Sequence, residues 1–360
     1  MPELPKKKKK SVRAATLADV GRVAGVSPMA ASAVLNGART YSRISPETRG
    51  RILEAAAALH YRPNAAARAL IRRRMSTLGV AAVVDRGELN HYFLEVFNGV
   101  LETAARHGQN TTVFILHDWG RDVRRIAEFC DGRIDGLLLV APVLGPESAA
   151  LLPTHTPLVA IHANIVLPGV INLESDEEAG SFSLVRRLIE IGHRRILHLA
   201  GPDAMLGSVR RIKGYRRALK ESGIAYDARL VKTAGFATHQ GREAMRGWLD
   251  DHAGERLPTA VFCANDGVAF GCMETLSAAG LRVPDDISVS GFDDTLAARA
   301  CVPQLSTVRQ PLRQMGGRAV ELLLDLARTN DLGDPAATAS PVVFPTEPVL
   351  RASVAAPSRP

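Results

Sequence analysis

The sequence predicts an all-α head followed by an α/β core made of two doubly wound parallel-sheet lobes. Three observations lead there. Residues 16–36 (TLADVGRVAGVSPMAASAVLN) read as two short helices joined by a tight turn, and from Ser76 strands and helices alternate in two successive sets. Charge divides between the same two parts: residues 1–75 hold 16 Lys and Arg against 4 Asp and Glu, while the other 285 hold 29 against 33. A basic head on a mildly acidic body points to a polyanion partner for the head alone.

Residues 1–15 (MPELPKKKKKSVRAA) form a low-complexity basic arm expected to be disordered. Taken alone, Lys6 to Lys10 suit a solubilising tail equally well. Thr16 then caps the first helix, and Asp19 completes a capping-box-like pair near the positive helix end. Leu17, Val20, Val23 and Ala24 recur at helical spacing as one apolar face. Gly21 leaves room for a close crossing, Gly25 can adopt the left-handed conformation that stops a helix, and Val26 fills the corner. Ser27 is the next cap, with Pro28 at the first helical position, where its missing N–H costs nothing. Ala31, Val34 and Leu35 face inward, leaving Met29, Ala30, Ser32, Ala33 and Asn36 outward. Two helices with a Gly-containing turn can lay the second in a DNA major groove. The same residues would also suit an ordinary helical hairpin in another kind of domain.

A loop over residues 37–44 carries Arg39 and Arg43. Ser45 and Pro46 open a third helix whose Ile52, Ala56 and Leu59 close a three-helix head over residues 16–62. In the linker over residues 63–75, Asn64 to Ile71 is too short to be a stable helix alone and would become helical on docking. Leu70 is its large side chain able to wedge between base steps of a minor groove.

The first core set reads as strands at 77–85, 111–116, 134–141 and 157–163, with helices over 92–108 and 121–130. The second has helices at 177–192, 208–222, 239–252 and 267–280 and strands at 194–201, 230–234, 259–265 and 287–294. Polar residues at the carboxyl ends of the strands would line a cleft between the lobes. The core is expected over residues 76–352, with lobe 1 at about 76–172 and 304–330 and lobe 2 at about 173–303 and 331–352. Residues 353–360 are expected to be a disordered tail.

Composition narrows the function. Hydrophobic content of 46% and charge of 23% suit a soluble globular chain, with no run of 18 apolar residues and no secretory h-region. Cys130, Cys263, Cys272 and Cys301 show no metal-ligand spacing and suit reduced thiols in a cytoplasm. Asp85-Arg86-Gly87 follows the first strand with no GxGxxG or P-loop, and neither HExxH nor GxSxG occurs, so no cofactor and no enzyme is expected. Adjacent Asp293 and Asp294 point to opposite faces of a strand end, so only one can enter the cleft.

Several segments then add up in order: TLADVGRVAGVS with VLN, ISPETRGRILEAAAALHYRPNAAARAL, LIEIGHRRILHLAGP, SVRRIKGYRRAL, TAVFCANDGVAFG, LRVPDDISVSGFDD and LSTVRQPLRQMGGRAVELLL. With these, residues 16–352 resemble the lactose-repressor/galactose-repressor (LacI/GalR) family of bacterial transcription regulators. The resemblance implies a helix-turn-helix head, a hinge helix, and a core of periplasmic-binding-protein type that holds a small-molecule effector, in the first place a sugar. It also implies a homodimer on near-palindromic operator DNA, with no membrane partner.

By position, Thr16, Leu17, Ser27, Ser32, Asn36, Ser45, Thr48 and Asn64 match backbone-contacting or capping positions of the family. Pro28, Met29 and Ala33 fall where relatives read bases, and Ala67 and Leu70 fall in the hinge, whose leucine intercalates. None of Pro28, Met29 and Ala33 can make bidentate base contacts, which shifts discrimination toward Arg39, Arg43, the hinge and DNA deformability. In the core, Arg211 matches an arginine for hydroxyls or a carboxylate, Asn265 and Asp293 match polar contacts, and Phe236 matches an aromatic wall. Tyr92 and Phe93 are expected on the opposite wall. Without the resemblance, Arg211 reads as an inter-helix ion pair on a charged face with Arg210 and Lys213.

The expectation is an effector-controlled regulator, most simply a repressor. The alternative is a cytoplasmic solute-sensing module with weak DNA binding, suggested by the apolar recognition positions.

Overall fold

Thr16 starts the head as its sequence requires. Its hydroxyl accepts from the Asp19 N–H at 3.3 Å, while the Asp19 carboxylate accepts from the Thr16 N–H at 3.0 Å. Hydrogen bonds from the Thr16 side chain and backbone hold the Asp19 carboxyl down at about 2. Helix α1 (Leu17–Ala24) ends at Gly25, whose φ of 68° is the left-handed stop. Helices α2 (Pro28–Asn36) and α3 (Pro46–Ala58) follow Ser27 and Ser45, each serine oxygen accepting an N–H three residues on. Val20, Ala24, Ala31, Ile52, Ala55 and Ala56 form their common core. Val23, expected on that face, is 56% exposed. It sits one residue, about 100°, round the helix from Ala24 and misses the core.

The computed structural model describes residues 14–36, 44–63, 74–84, 90–329 and 340–358. The chain divides into two units, Met1–Met75 and Ser76–Pro360. The second opens with β1 (Thr77–Val83), α4 (His91–Arg106), β2 (Asn110–Leu116), α5 (Trp119–Phe129) and β3 (Gly136–Val140). Next come α6 (Pro146–Ala149), β4 (Leu158–Ile161), β5 (Ile171–Ser175), α7 (Glu177–Glu190), β6 (Ile196–Ala200) and α8 (Leu206–Glu221). They are followed by β7 (Val231–Thr233), α9 (Thr238–Asp251), β8 (Ala260–Cys263), α10 (Asp266–Ala278), β9 (Ser288–Ser290) and α11 (Leu296–Ala300). The last elements are β10 (Thr307–Arg309), α12 (Leu312–Thr329), β11 (Val342–Phe344) and β12 (Glu347–Val349).

Two parallel sheets result, ordered β11-β5-β4-β3-β1-β2 and β7-β6-β8-β9, with β10 and β12 as an antiparallel ribbon. Each sheet is covered on both faces, and its central strands β3 and β4, or β6 and β8, are buried at every residue rather than alternating. On the first sheet α4 and α12 pack backbone to backbone. A side chain at Gly99 would collide with the Arg313 carbonyl, and one at Gly316 with that of Val96.

The lobe boundaries differ from the sequence reading. Residues 171–175 and 342–344 both pair in the first sheet, so 331–352 does not belong wholly to the second lobe. Residues 304–309 lie with the second lobe, where Ser306 bridges Ser290 and Arg309 bridges Asp293. The chain therefore passes between the lobes three times, along segments of only three to five strand residues that carry too little pattern to place by periodicity. The expected disordered tail is also corrected. Ser353 is fully buried and accepts from the Val289 N–H at 2.9 Å, and the Ala355 carbonyl meets His193 Nε2 at 2.9 Å.

His198 is fully buried in this core, and His162 is half-buried at the end of β4. His198 donates from Nδ1 to the Phe262 carbonyl at 2.9 Å, and burial lowers it to about 4; the same cause lowers His162 to about 4. Between pH 6.5 and 4 the unfolded chain binds these protons and the folded chain does not, so stability falls as pH falls. Each histidine removes about 2 kcal/mol by pH 5. Asp266, raised by burial to about 6, and Asp293, also pushed up by burial, act oppositely over the same range. The histidine contribution is read by removing it: His198→Phe should lose less Tm between pH 7 and pH 5 than the wild type in thermal melts, and an equal loss contradicts it.

Candidate effector cavity and nucleic-acid face

The cleft between the lobes is built where parallel strands end. Ala141 after β3, His162 after β4 and Asp293 after β9 all have positive φ (49°, 53° and 122°), turning the chain sharply at the rim. The cavity leaves about 100 Å³ for the centres of water-sized spheres, small beside the range usual for small-molecule sites. The first lobe supplies Asn90, Tyr92, Ala141, His162 and Asn164; the second supplies Glu177, Gly207, Arg211, Phe236, Asn265 and Asp293 together with Met205 and Leu206.

Arg211 is 6% exposed on α8. Its Nη1 donates to the Ala264 carbonyl at 2.5 Å, its Nη2 to Glu177 Oε1 at 2.9 Å, and its Cζ stacks 4.0 Å from the Phe292 ring centre. It is thus both an inter-helix ion pair and a cavity residue, which joins the two readings its sequence allowed. Asn265 caps α10: its Oδ1 accepts from the Val268 N–H at 2.8 Å and its Nδ2 donates to the Phe236 carbonyl at 3.0 Å, which fixes the aromatic wall. Asp293 accepts from Gln310 Nε2 at 2.6 Å, and burial pushes its carboxyl up while the Arg211 charge pulls it down. Asp294 turns away to Arg351 at 2.6 Å and Arg309 at 2.7 Å, as expected for adjacent residues.

On the opposite wall, Tyr92 lies 2.6 Å from His162 Nδ1. Phe93 does not join it. One step round the helix, it is 3% exposed in the core of the first lobe and stacked on Phe97 at 5.5 Å. Sequence reasoning missed His162, Asn90, Asn164 and Glu177. Their signal was position alone, each lying just beyond a strand or at a helix start.

On the head, α2 presents Ser27, Pro28 and Met29, the last 75% exposed, with Ser32, Ala33 and Asn36 half-buried along the same helix. Asn36 Nδ2 donates to Ser32 Oγ at 3.1 Å. Thr16 and Leu17 lie half-buried at the start of α1; Ser45 and Thr48 open α3, with their hydroxyls 3.0 Å apart. Arg39, Arg43, Asn64, Ala67 and Leu70 lie outside the described residues.

Two family descriptions match this chain: "Bacterial regulatory proteins, lacI family" over residues 16–64 and "Periplasmic binding protein-like domain" over residues 185–354. The HTH-type transcriptional regulator GalR of Escherichia coli is 34% identical over 351 residues, spanning 96% of this chain and 97% of that protein. The chain belongs to the lacI family. The HTH-type transcriptional repressor PurR of Vibrio atlanticus is 33% identical over 88% of this chain and 93% of its own length.

Among solved structures, the Lac repressor dimer bound to operator and the anti-inducer ONPF superposes with a TM-score of 0.80 at 27% identity, covering 96% of this chain and 100% of that one. The CelR–cellobiose complex reaches 0.68 at 30% identity, covering 94% and 99%. This lacI-family chain is therefore a ligand-controlled, DNA-binding transcriptional regulator and not an enzyme. Among its described residues no helix is long and apolar enough to cross a membrane.

Proposed function

We propose that the chain is a cytoplasmic repressor that binds a near-palindromic operator as a homodimer and is controlled by a sugar or sugar derivative in the inter-lobe cavity. The observation that carries the reading is the meeting of Arg211, Asp293, Asn265 and Phe236 with Tyr92 across strand ends of both lobes. A guanidinium and carboxyl for hydroxyls, beside an aromatic face for a sugar ring, form an apolar pocket with few placed polar groups. Two neighbours support it, one a dimer on operator and one a cellobiose complex.

A ligand that touches both lobes biases the angle between them, and through it the linker over residues 63–75 and the operator affinity. Such coupling is typically about 1–3 kcal/mol, so a saturating effector should shift operator affinity by about 5- to 150-fold. Fluorescence anisotropy of upstream intergenic DNA, titrated with neutral sugars, tests it; a folded protein that ignores every sugar and every duplex contradicts it.

DNA discrimination in this reading rests on Met29 against thymine methyls with Pro28 and Ala33 at the same base-facing positions, on Arg39 and Arg43, and on Leu70 wedged at the hinge beside Ala67, while Thr16, Leu17, Ser27, Ser32, Asn36, Ser45, Thr48 and Asn64 set register on the backbone. Most of the cationic side chains of residues 1–75 fall in the arm, the loop and the linker rather than in the three helices. Truncation of residues 1–12 should therefore weaken binding equally on all sequences. It should also flatten the dependence of log affinity on log salt by about 0.9 for each phosphate the arm no longer neutralises. An unchanged salt slope would show that the arm engages no phosphate.

A further inference from the structure

We infer that Glu177 makes the cavity select uncharged, hydroxyl-rich ligands and reject phosphorylated or carboxylated ones, by occupying the guanidinium an anion would need. The inference rests on the reading of this cavity as the effector site.

Glu177 is 2% exposed at the first position of α7 and lines the cavity. One carboxylate oxygen takes Arg211 Nη2 at 2.9 Å, and the other faces Arg210 Nη1 at 3.7 Å. Arg210 is itself committed to Glu174 at 2.5 Å, and Glu174 accepts from Asn172 Nδ2 at 2.7 Å. Two guanidinium groups thus meet two carboxylates, and the cluster carries no spare positive charge. The other terminal nitrogen of Arg211 donates to the Ala264 carbonyl, and Nε is a buried donor with no partner. With the charge already balanced by Glu177, the N–H groups that remain can serve a hydroxyl, whereas a carboxylate or phosphate would bring a second anion against the same guanidinium.

The other groups point the same way. The remaining charged residue on the lining is Asp293, a second carboxyl, which opposes an anion when ionised and serves a hydroxyl in either protonation state. The first turn of α8, a helix end that would attract an anion, is covered by Glu177. A side chain at Gly207 there would collide with the Glu177 carboxylate. Across the cleft, the Ser175 N–H donates to His162 Nε2 at 3.1 Å, so the neutral ring carries its proton on Nδ1 and donates it to the Tyr92 oxygen. The phenol proton is then free for an acceptor oxygen on the ligand. Every unspent group is suited to hydroxyls, and none is a free cation.

The test is calorimetry on the full-length protein, with neutral pentoses, hexoses and disaccharides, the phosphate monoesters of the same sugars, and inorganic phosphate alone. In the wild type, a neutral sugar should bind and its phosphate ester should bind about 100-fold more weakly or worse, as a buried like charge requires. Glu177→Gln releases the guanidinium while keeping an amide oxygen for it, and should raise affinity for inorganic phosphate about tenfold or more over wild type. A wild-type protein that binds a phosphate ester as tightly as its parent sugar overturns the inference, and that comparison needs no variant. So does an E177Q protein that melts cooperatively and binds operator yet remains as indifferent to phosphate as wild type. If no neutral sugar binds, the sugar reading fails by itself, and the phosphate titrations of E177Q and wild type still decide the role of Glu177.

Discussion

Arg211→Ala is expected to abolish the effector response while operator binding survives. The guanidinium bridges Glu177 on α7 and the Ala264 carbonyl after β8, so its removal opens the cavity floor and leaves a carboxylate buried without its partner. Truncating one member of a buried pair costs about 3–5 kcal/mol, far more than the pair contributes net. The core should therefore melt earlier, and the effector concentration needed for half-response should rise by about 100-fold or more, since ligand hydrogen bonds to a charged group also disappear. Pairing the change with Glu177→Gln should restore most of the thermal stability without restoring the response, because the unpaired charge goes but the donor does not return. Melting curves and operator anisotropy read the two effects separately. An Arg211→Ala protein with an unchanged half-response would remove the cavity from the account.

Ile52→Ala should silence DNA binding through the head alone. Among the buried residues of the head core, the others are Val20 and the alanines at 24, 31, 55 and 56, and Ile52 is the large one, with no exposed surface; Leu17, Leu35, Leu59 and Tyr61 pack against it from the edge. Large-to-small changes at such sites cost about 2–5 kcal/mol. A domain of this size buries too little surface to absorb that comfortably. Calorimetry should show the head transition moved down or abolished while the transition of the Ser76–Pro360 unit stays in place, and operator affinity should collapse with the former. If operator affinity stayed at the wild-type level, the three-helix unit would not be what holds the duplex.

Much of this was legible in the sequence because local chemistry encoded it. Thr16 with Asp19, Gly25 at a left-handed stop and Ser27-Pro28 specify the head through bonds spanning three or four residues, and those bonds are present. The alternation of apolar strands with amphipathic helices likewise specified two parallel sheets. What periodicity could not reach was long-range pairing. Val342–Phe344 joins Ile171–Ser175 across some 170 residues, and three residues carry no period to announce it. The site divides in the same way. Arg211, Asn265, Asp293 and Phe236, named through the family resemblance, line the cavity, whereas Phe93 was misplaced because adjacent helical residues diverge by about 100°. Glu177 was hidden because an acidic residue in a helix's first turn ordinarily answers the helix dipole from the surface. Only the arrival of α8 from further along the chain buries it against Arg211.

The most direct measurement of the central claim is operator affinity with and without a neutral sugar, taken on one preparation at one fixed salt concentration. Sequence-specific binding in the nanomolar range that changes at least about fivefold when the sugar saturates the cavity is the predicted result. A duplex affinity that is indifferent to sequence, or one that holds steady while calorimetry shows the sugar bound, would contradict it.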